Sequence, residues 1–174
     1  SEESLTLDEL SYLLWTTQGV KKVYKGAATF RTVPSAGSRH AIETFLLINN
    51  VTSLEKGLYR FVATRHSLVP VNLNEEIGHQ LMEACFNQKM VGLSAVTLFW
   101  GADIYRMTWR YGERSYRYIL LDVGHACQNL YLAVQSIGCG TCAIAAFDDD
   151  SVNNLLGIDG EHLFMIYCAT VGKL

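Results

Sequence analysis

Cys139-Gly140-Thr141-Cys142 is the plainest chemical signal in this sequence, a C-x-x-C pair of the kind that serves as a redox dithiol or as half of a zinc site. Its setting argues against both. A reactive pair sits at a helix N-terminus, where the dipole lowers a thiol pKa, whereas this one follows the C-terminal end of a helical pattern and enters a strand. Zinc would need a second cysteine or histidine pair at suitable spacing, and the sequence offers none, so no metal is expected. What the segment does supply is the backbone of Gly138 and Gly140, free to approach a ligand closely.

Three other groups could do chemistry. His125 stands between Asp122 and Asn129 and suggests a charge-relay base, but no G-x-S-x-G or comparable nucleophile accompanies it, and a satisfied interface histidine is the better reading. Arg31-Thr32-Val33-Pro34-Ser35-Ala36-Gly37-Ser38 joins exposed backbone amides and two hydroxyls to flanking guanidinium groups. That composition suits an anion or an electron-rich ring, although Pro-Ser-Ala-Gly is also an ordinary turn. Tyr105, Arg106, Trp109, Arg110, Tyr111, Arg114, Tyr116 and Arg117 interleave aromatics with cations. They read as a lid or pocket wall over a planar ligand, with Tyr105, Trp109, Arg110 and Tyr111 facing substrate; a surface helix pinned by cation–π contacts is the alternative. No P-loop or G-x-G-x-x-G is present.

The elements that must position these groups are partly legible. Leu5 to Gly19 reads as a helix with a Thr6/Glu9 capping box, a Leu5/Leu10 staple and a left-handed cap at Gly19. Val20 to His40 loses periodicity, gathers Lys21, Lys22 and Lys25, and reads as loop. Strands are expected at Glu43–Asn49, Gly57–Phe61, Ser67–Val71, Ser94–Trp100, Ala143–Phe147 and Leu163–Val171. Further helices are expected after an Asn74 cap, across Tyr118–Ile137, and after Asp150 or Ser151. The long helix repeats apolar residues at Ile119, Val123, Ala126, Leu130 and Val134 and reads as buried on most sides. Tyr118, Asp122, His125, Asn129 and Ser136 form a narrow polar row on it, which a second subunit is expected to satisfy. The pattern is α+β, a mixed sheet covered by helices, in a single domain over residues 1–174.

A hydrophobic fraction of 49% and a charged fraction of 18% fit a globular chain and favour an obligate oligomer. A net charge of -3 gives no sign of nucleic acid, no apolar run is long enough to span a membrane, and five cysteines fit a reducing cytoplasm. Composition leaves the function open between a planar-cofactor enzyme and a binding module.

Three blocks together narrow it. Arg31 to Gly37 followed by a strand and Gly57-Leu58-Tyr59-Arg60-Phe61, then Tyr111-Gly112-Glu113-Arg114-Ser115-Tyr116-Arg117-Tyr118 with Gly124-His125-Ala126-Cys127-Gln128-Asn129, then Ser136-Ile137-Gly138-Cys139-Gly140-Thr141, resemble in order the SagB-type dehydrogenase branch of the nitroreductase family. The resemblance covers nearly the whole chain. It implies a nitroreductase-like α+β fold with a mixed, mainly antiparallel sheet flanked by helices. It also implies a homodimer with FMN at the subunit interface, and hydride transfer through the flavin N5 between NAD(P)H and an acceptor, or oxidation of a substrate. Arg31, Pro34, Ser35, Ala36, Gly37 and Ser38 would contact the flavin from one subunit. Gly138, Cys139, Gly140 and Thr141 would contact it from the other, with Lys173 near the phosphate.

Two departures bear on that expectation. Family members carry an Arg-Arg-Ser-x-Arg type segment ahead of the first helix that holds the phosphate; here the sequence opens at Ser1, so Lys21, Lys22, Arg31 and Lys173 are the cations at hand. The alternative function is therefore a non-catalytic flavin-binding or scaffold subunit. Members that aromatise azoline rings carry Lys-Tyr where Arg110-Tyr111 stands here, and an arginine cannot act as a deprotonated base. No protein nucleophile is required, which accounts for the lack of one.

Overall fold

The computed structural model describes residues 3–25 and 28–174. Its first helix, α1 (Leu7–Gln18), starts on the expected capping box: the Glu9 amide donates to Thr6 Oγ1 at 3.2 Å and the Thr6 amide donates to Glu9 Oε2 at 2.9 Å. Leu5, Leu10, Leu13 and Leu14 are buried beneath it. Gly19 is not left-handed. With φ -57 and ψ 137 it runs straight into a strand, and glycine is needed there because a Cβ would come within 2.5 Å of the Trp15 carbonyl. The segment read as loop is a two-stranded antiparallel ribbon, β1 (Val20–Tyr24) and β2 (Ala28–Arg31). Most of β1 is exposed, so no inside–outside alternation marks it in the sequence.

The main sheet contains β3 (Ile42–Ile48), β4 (Gly57–Val62), β5 (Ser67–Asn72), β6 (Val96–Asp103), β7 (Cys139–Ile144) and β8 (Leu163–Lys173) in the order β5-β4-β3-β6-β8-β7. Each of its pairings is antiparallel, and an isolated parallel bridge ties Leu5 to Val51. Alternation along β3 divides the core in two. Ile42, Leu46 and Ile48 pack with α1 and with α5 (Ser115–Ser136), while Phe45 and Leu47 pack with α2 (Ile77–Ala84), α3 (Lys89–Leu93) and α6 (Asp149–Leu156). The α+β architecture, with an antiparallel sheet flanked by helices, is as expected. At the helix ends Asn74 serves the turn before α2, accepting from the Glu76 amide, and α6 is capped by Asp148.

α5 differs most from its expected surroundings. Three members of its polar row are satisfied by its own chain, Asp122 by the Ser35 loop, Asn129 Nδ2 by the Thr16 carbonyl at 2.9 Å, and Ser136 Oγ by Tyr12 Oη at 3.1 Å, while His125 is exposed. The side turned to solvent is mixed, with Leu120 61%, Leu121 53% and Leu132 65% exposed around an unobstructed Gly124, interleaved with exposed Arg117, His125, Gln128 and Gln135. Among the described residues, no helix is long and apolar enough to cross a membrane.

Candidate functional site

The chemistry-bearing segments gather at the two ends of α5. At the N-terminal end the Pro34–Ser38 loop is fastened to the helix. Ser35 Oγ donates to Asp122 Oδ2 at 2.6 Å, the Ala36 amide donates to Asp122 Oδ1 at 3.1 Å, and the His40 amide donates back to Ser35 Oγ at 2.9 Å. Burial raises the Asp122 pKa, and the bonds from Ser35 and Ala36 oppose the rise by stabilising the carboxylate. Gly37 adopts φ 56, and a Cβ there would meet the Tyr111 hydroxyl at 2.5 Å, so both conformation and space demand glycine.

α4 (Tyr105–Tyr111) lays its last turn on this loop. Tyr111 packs against Tyr118 with ring centroids 4.7 Å apart, and the Arg110 guanidinium lies 5.7 Å from the Tyr111 ring centroid. Arg39 stacks on Trp109 at 4.4 Å and donates through Nε to the Arg106 carbonyl. Tyr105 is 69% exposed and stands apart from this cluster.

At the C-terminal end of α5, Gly138 turns the chain with φ 65 and an unobstructed Cα, and β7 begins at the outer edge of the sheet. Cys139 is buried and Cys142 exposed, as residues three apart on a strand must point to opposite faces, and both thiols are free. Burial raises the Cys139 pKa, which keeps it a thiol. The Ala143 amide donates to Tyr131 Oη at 3.1 Å on the side of β7 away from β8, and the alternation of an antiparallel ladder turns the Cys139 and Thr141 amides to that same edge. Thr141 Oγ1 is buried without a hydrogen-bond partner. Lys173 pairs with Cys139 across the ladder and holds an ion pair with Glu9. The hydrogen bond to Glu9 raises the Lys173 pKa, and the same contact lowers that of Glu9.

One chain does not unite these groups. From Asp122 to Ser136 the helix rises about 21 Å, more than a tricyclic ring can span. Arg31 borders the loop, sharing a hollow with Ser38, Arg39 and His40, and lies apart from Lys173. Its Nη1 donates at 2.7 Å to Gln18 Oε1 at the C-terminal end of α1, whereas Lys173 meets Glu9 near the N-terminal end. Those two α1 residues are about 14 Å apart along the helix.

This two-ended α5, crossing a six-stranded antiparallel sheet whose edge strand follows the helix directly, has a match at the family level: residues 1–173 fit the profile of the Nitroreductase family. The chain belongs to the nitroreductase family. It is 38% identical over 162 residues to MJ1384 of Methanocaldococcus jannaschii, a protein of nitroreductase name, covering 93% of this chain and 79% of that one. The trifolitoxin-processing protein TfxB of Rhizobium leguminosarum bv. trifolii is 27% identical over 86% of this chain and 41% of its own length. Among solved structures, a nitroreductase-named protein of Anabaena variabilis superposes with a TM-score of 0.82 at 30% identity, covering 99% of this chain. The E. coli microcin synthetase McbBCD complex superposes with a TM-score of 0.84 at 21% identity, again over 99% of this chain. This nitroreductase-family chain spans 35% and 65% of those two chains.

Nitroreductase-family proteins are generally flavin oxidoreductases. Among the features here that fit a flavin ring are the edge-facing Thr141 amide, the unpartnered Thr141 hydroxyl and the open Gly138 turn. The phosphate fits less well, because Lys173 shares its charge with Glu9. Sequence reasoning missed Glu9, visible only as a capping residue, and Tyr131, whose hydroxyl marks the free edge of β7.

Proposed function

We propose that this protein is a homodimeric FMN-dependent oxidoreductase of the SagB-type branch, exchanging reducing equivalents between NAD(P)H and an acceptor or oxidising a substrate directly. The observation that carries this reading is the division of the flavin-directed residues between opposite ends of α5. Two copies related by a two-fold axis that crosses the exposed leucine row at right angles, with their α5 helices antiparallel, would bring the Pro34–Ser38 loop of one to the Gly138–Thr141 edge of the other. Leu120, Leu121 and Leu132 give that contact an apolar surface a monomer would not keep.

FMN, when bound, supplies reversible hydride chemistry. The protein's own work is to position and bias. Asp122 fixes the loop, the β7-edge amides and Thr141 offer donors to the ring's polar edge, and Arg110 stays a fixed cation. The name of TfxB and the peptide-bound McbBCD structure support the branch. Arg110 argues for a substrate other than an azoline ring. Free cysteines throughout the chain fit a cytoplasmic location.

A second reading, a non-catalytic flavin-binding or scaffold subunit, is favoured by the Glu9–Lys173 pair. Titrating FMN with the purified protein should give saturable fluorescence quenching at one flavin per chain. Addition of NAD(P)H and a quinone or nitroaromatic should then give flavin-dependent turnover. Binding without turnover would favour the scaffold, and a dimer that leaves micromolar FMN unquenched would dispose of both.

A further inference from the structure

A cavity of about 430 Å³ opens where β3 begins, between the C-terminal end of α1 and the β4–β5 hairpin, and its Arg31 and Arg106 also border the Ser38–His40 loop. Three arginines stand in its wall, and two of them are already matched. Glu43 holds Arg60 at 2.9 Å and Arg106 at 2.7 Å, and Arg106 also meets Asp103 at 2.9 Å. Arg31 differs. Among the described residues it has no carboxylate at ion-pair distance; its Nη1 meets the neutral Gln18 amide, and its buried Nε has no partner. Burial lowers the Arg31 pKa, Glu43 opposes that from a distance, and Arg106 adds to it.

Thr44 lies on the same wall with 2% of its surface exposed, and its Oγ1 also lacks a partner. The buried Arg31 Nε and the buried Thr44 hydroxyl, each without an acceptor, cost free energy that an oxyanion would recover. Beyond them Ile42, Phe61 and Val69 give the wall an apolar part beside the Glu43, Arg60 and Arg106 ion pairs, and the space exceeds what a lone inorganic anion fills.

We propose that this cavity binds a small organic carboxylate, its carboxylate on Arg31 and Thr44 and its apolar body against Phe61 and Val69. The site is independent of the flavin reading, and it gives Arg31 a ligand other than the flavin phosphate.

Benzoate is the probe, with benzamide as its uncharged analogue and inorganic phosphate as the bare oxyanion, measured by calorimetry on the full chain with and without FMN. Benzoate should saturate at one per chain, with benzamide weaker by at least about tenfold, as the loss of a charge-assisted contact requires. Arg31→Met should weaken benzoate by about as much, and Thr44→Val by about three- to tenfold. Without ligand, Thr44→Val should melt no lower than the parent, because it removes an unpaired buried hydroxyl; a merely structural Thr44 would lower the melting point. If Arg31→Met does not fold, Thr44→Val decides alone. The proposal is overturned if benzoate shows no saturation by about 10 mM, a Kd beyond specific recognition, or if phosphate binds and benzoate does not. It is equally overturned if FMN displaces benzoate, or if Thr44→Val leaves benzoate affinity unchanged.

Discussion

The two ends of α5 are built on opposite plans. At the N-terminal end the polar atoms are spent on the fold: both Asp122 oxygens, Ser35 Oγ and the Ala36 and His40 amides form one closed set of bonds. At the C-terminal end they are left over, with an unobstructed Gly138, an unpartnered Thr141 hydroxyl and strand-edge amides facing outward. A loop rich in small residues and hydroxyls therefore need not be a ligand site in its own chain. Here it is first a joint that sets the angle between loop and helix, and what it offers a ligand is shape. The open end offers donors.

Breaking the joint should have the largest effect. Asp122→Leu removes the acceptor of the half-buried Ser35 hydroxyl and Ala36 amide and should cost about 2 to 3 kcal/mol in urea unfolding. By contrast Thr141→Val, at the open end, should unfold like the parent. Equal losses at both sites would erase the distinction between the ends.

The joint should also show in the pH dependence of stability. The His40 ring, donating to the Thr29 carbonyl at 3.0 Å, has its pKa lowered from near 6.5 to about 4, chiefly by burial and then by Arg31, with Arg106 adding to it. Above pH 6.5 the ring is neutral folded and unfolded, so its effect is nil. As the pH falls from 6.5 toward 4 the unfolded chain takes up a proton that the folded chain refuses. Stability should then decline by at most about 3 kcal/mol. Chemical denaturation at intervals across that window checks this, and His40→Gln should flatten the slope.

The smallest expected effect sharpens the open end. Glu9→Gln keeps a capping-box residue but removes the negative charge beside Lys173, and should tighten FMN about two- to fivefold if Lys173 lies near the phosphate. A fluorescence titration reads it; weaker binding would move the phosphate elsewhere.

Much of this was legible from residue order, and the failures have physical reasons. The capping box, the β4–β5 hairpin and the long helix carry local signals, and each appears close to its expected place. The polar row of α5 was visible, but periodicity says only which residues share a face, not which neighbour covers it. Asp122, Asn129 and Ser136 turned out to meet α1 and the Ser35 loop. The helix read as buried on most sides because a leucine awaiting a partner, as Leu120 and Leu132 are, looks the same as a leucine inside. The β1–β2 ribbon lacks a buried face and so leaves no pattern, and α3 is five residues long. At the proposed site, Ser35, Gly37, Gly138 and Thr141 were named from a motif. Thr44 and Gln18 were not, since a lone threonine within an apolar strand carries no signal until its hydroxyl is seen to lack a partner.

The central claim is that one flavin site takes residues from the opposite α5 ends of two chains. The measurement that meets it most directly pairs oligomeric state with FMN affinity in the Leu120→Glu/Leu132→Glu double variant, whose side chains face solvent in the single chain. The account predicts a folded monomer that no longer quenches FMN, beside a parent dimer that does. A folded monomer that binds FMN as tightly as the parent would contradict it.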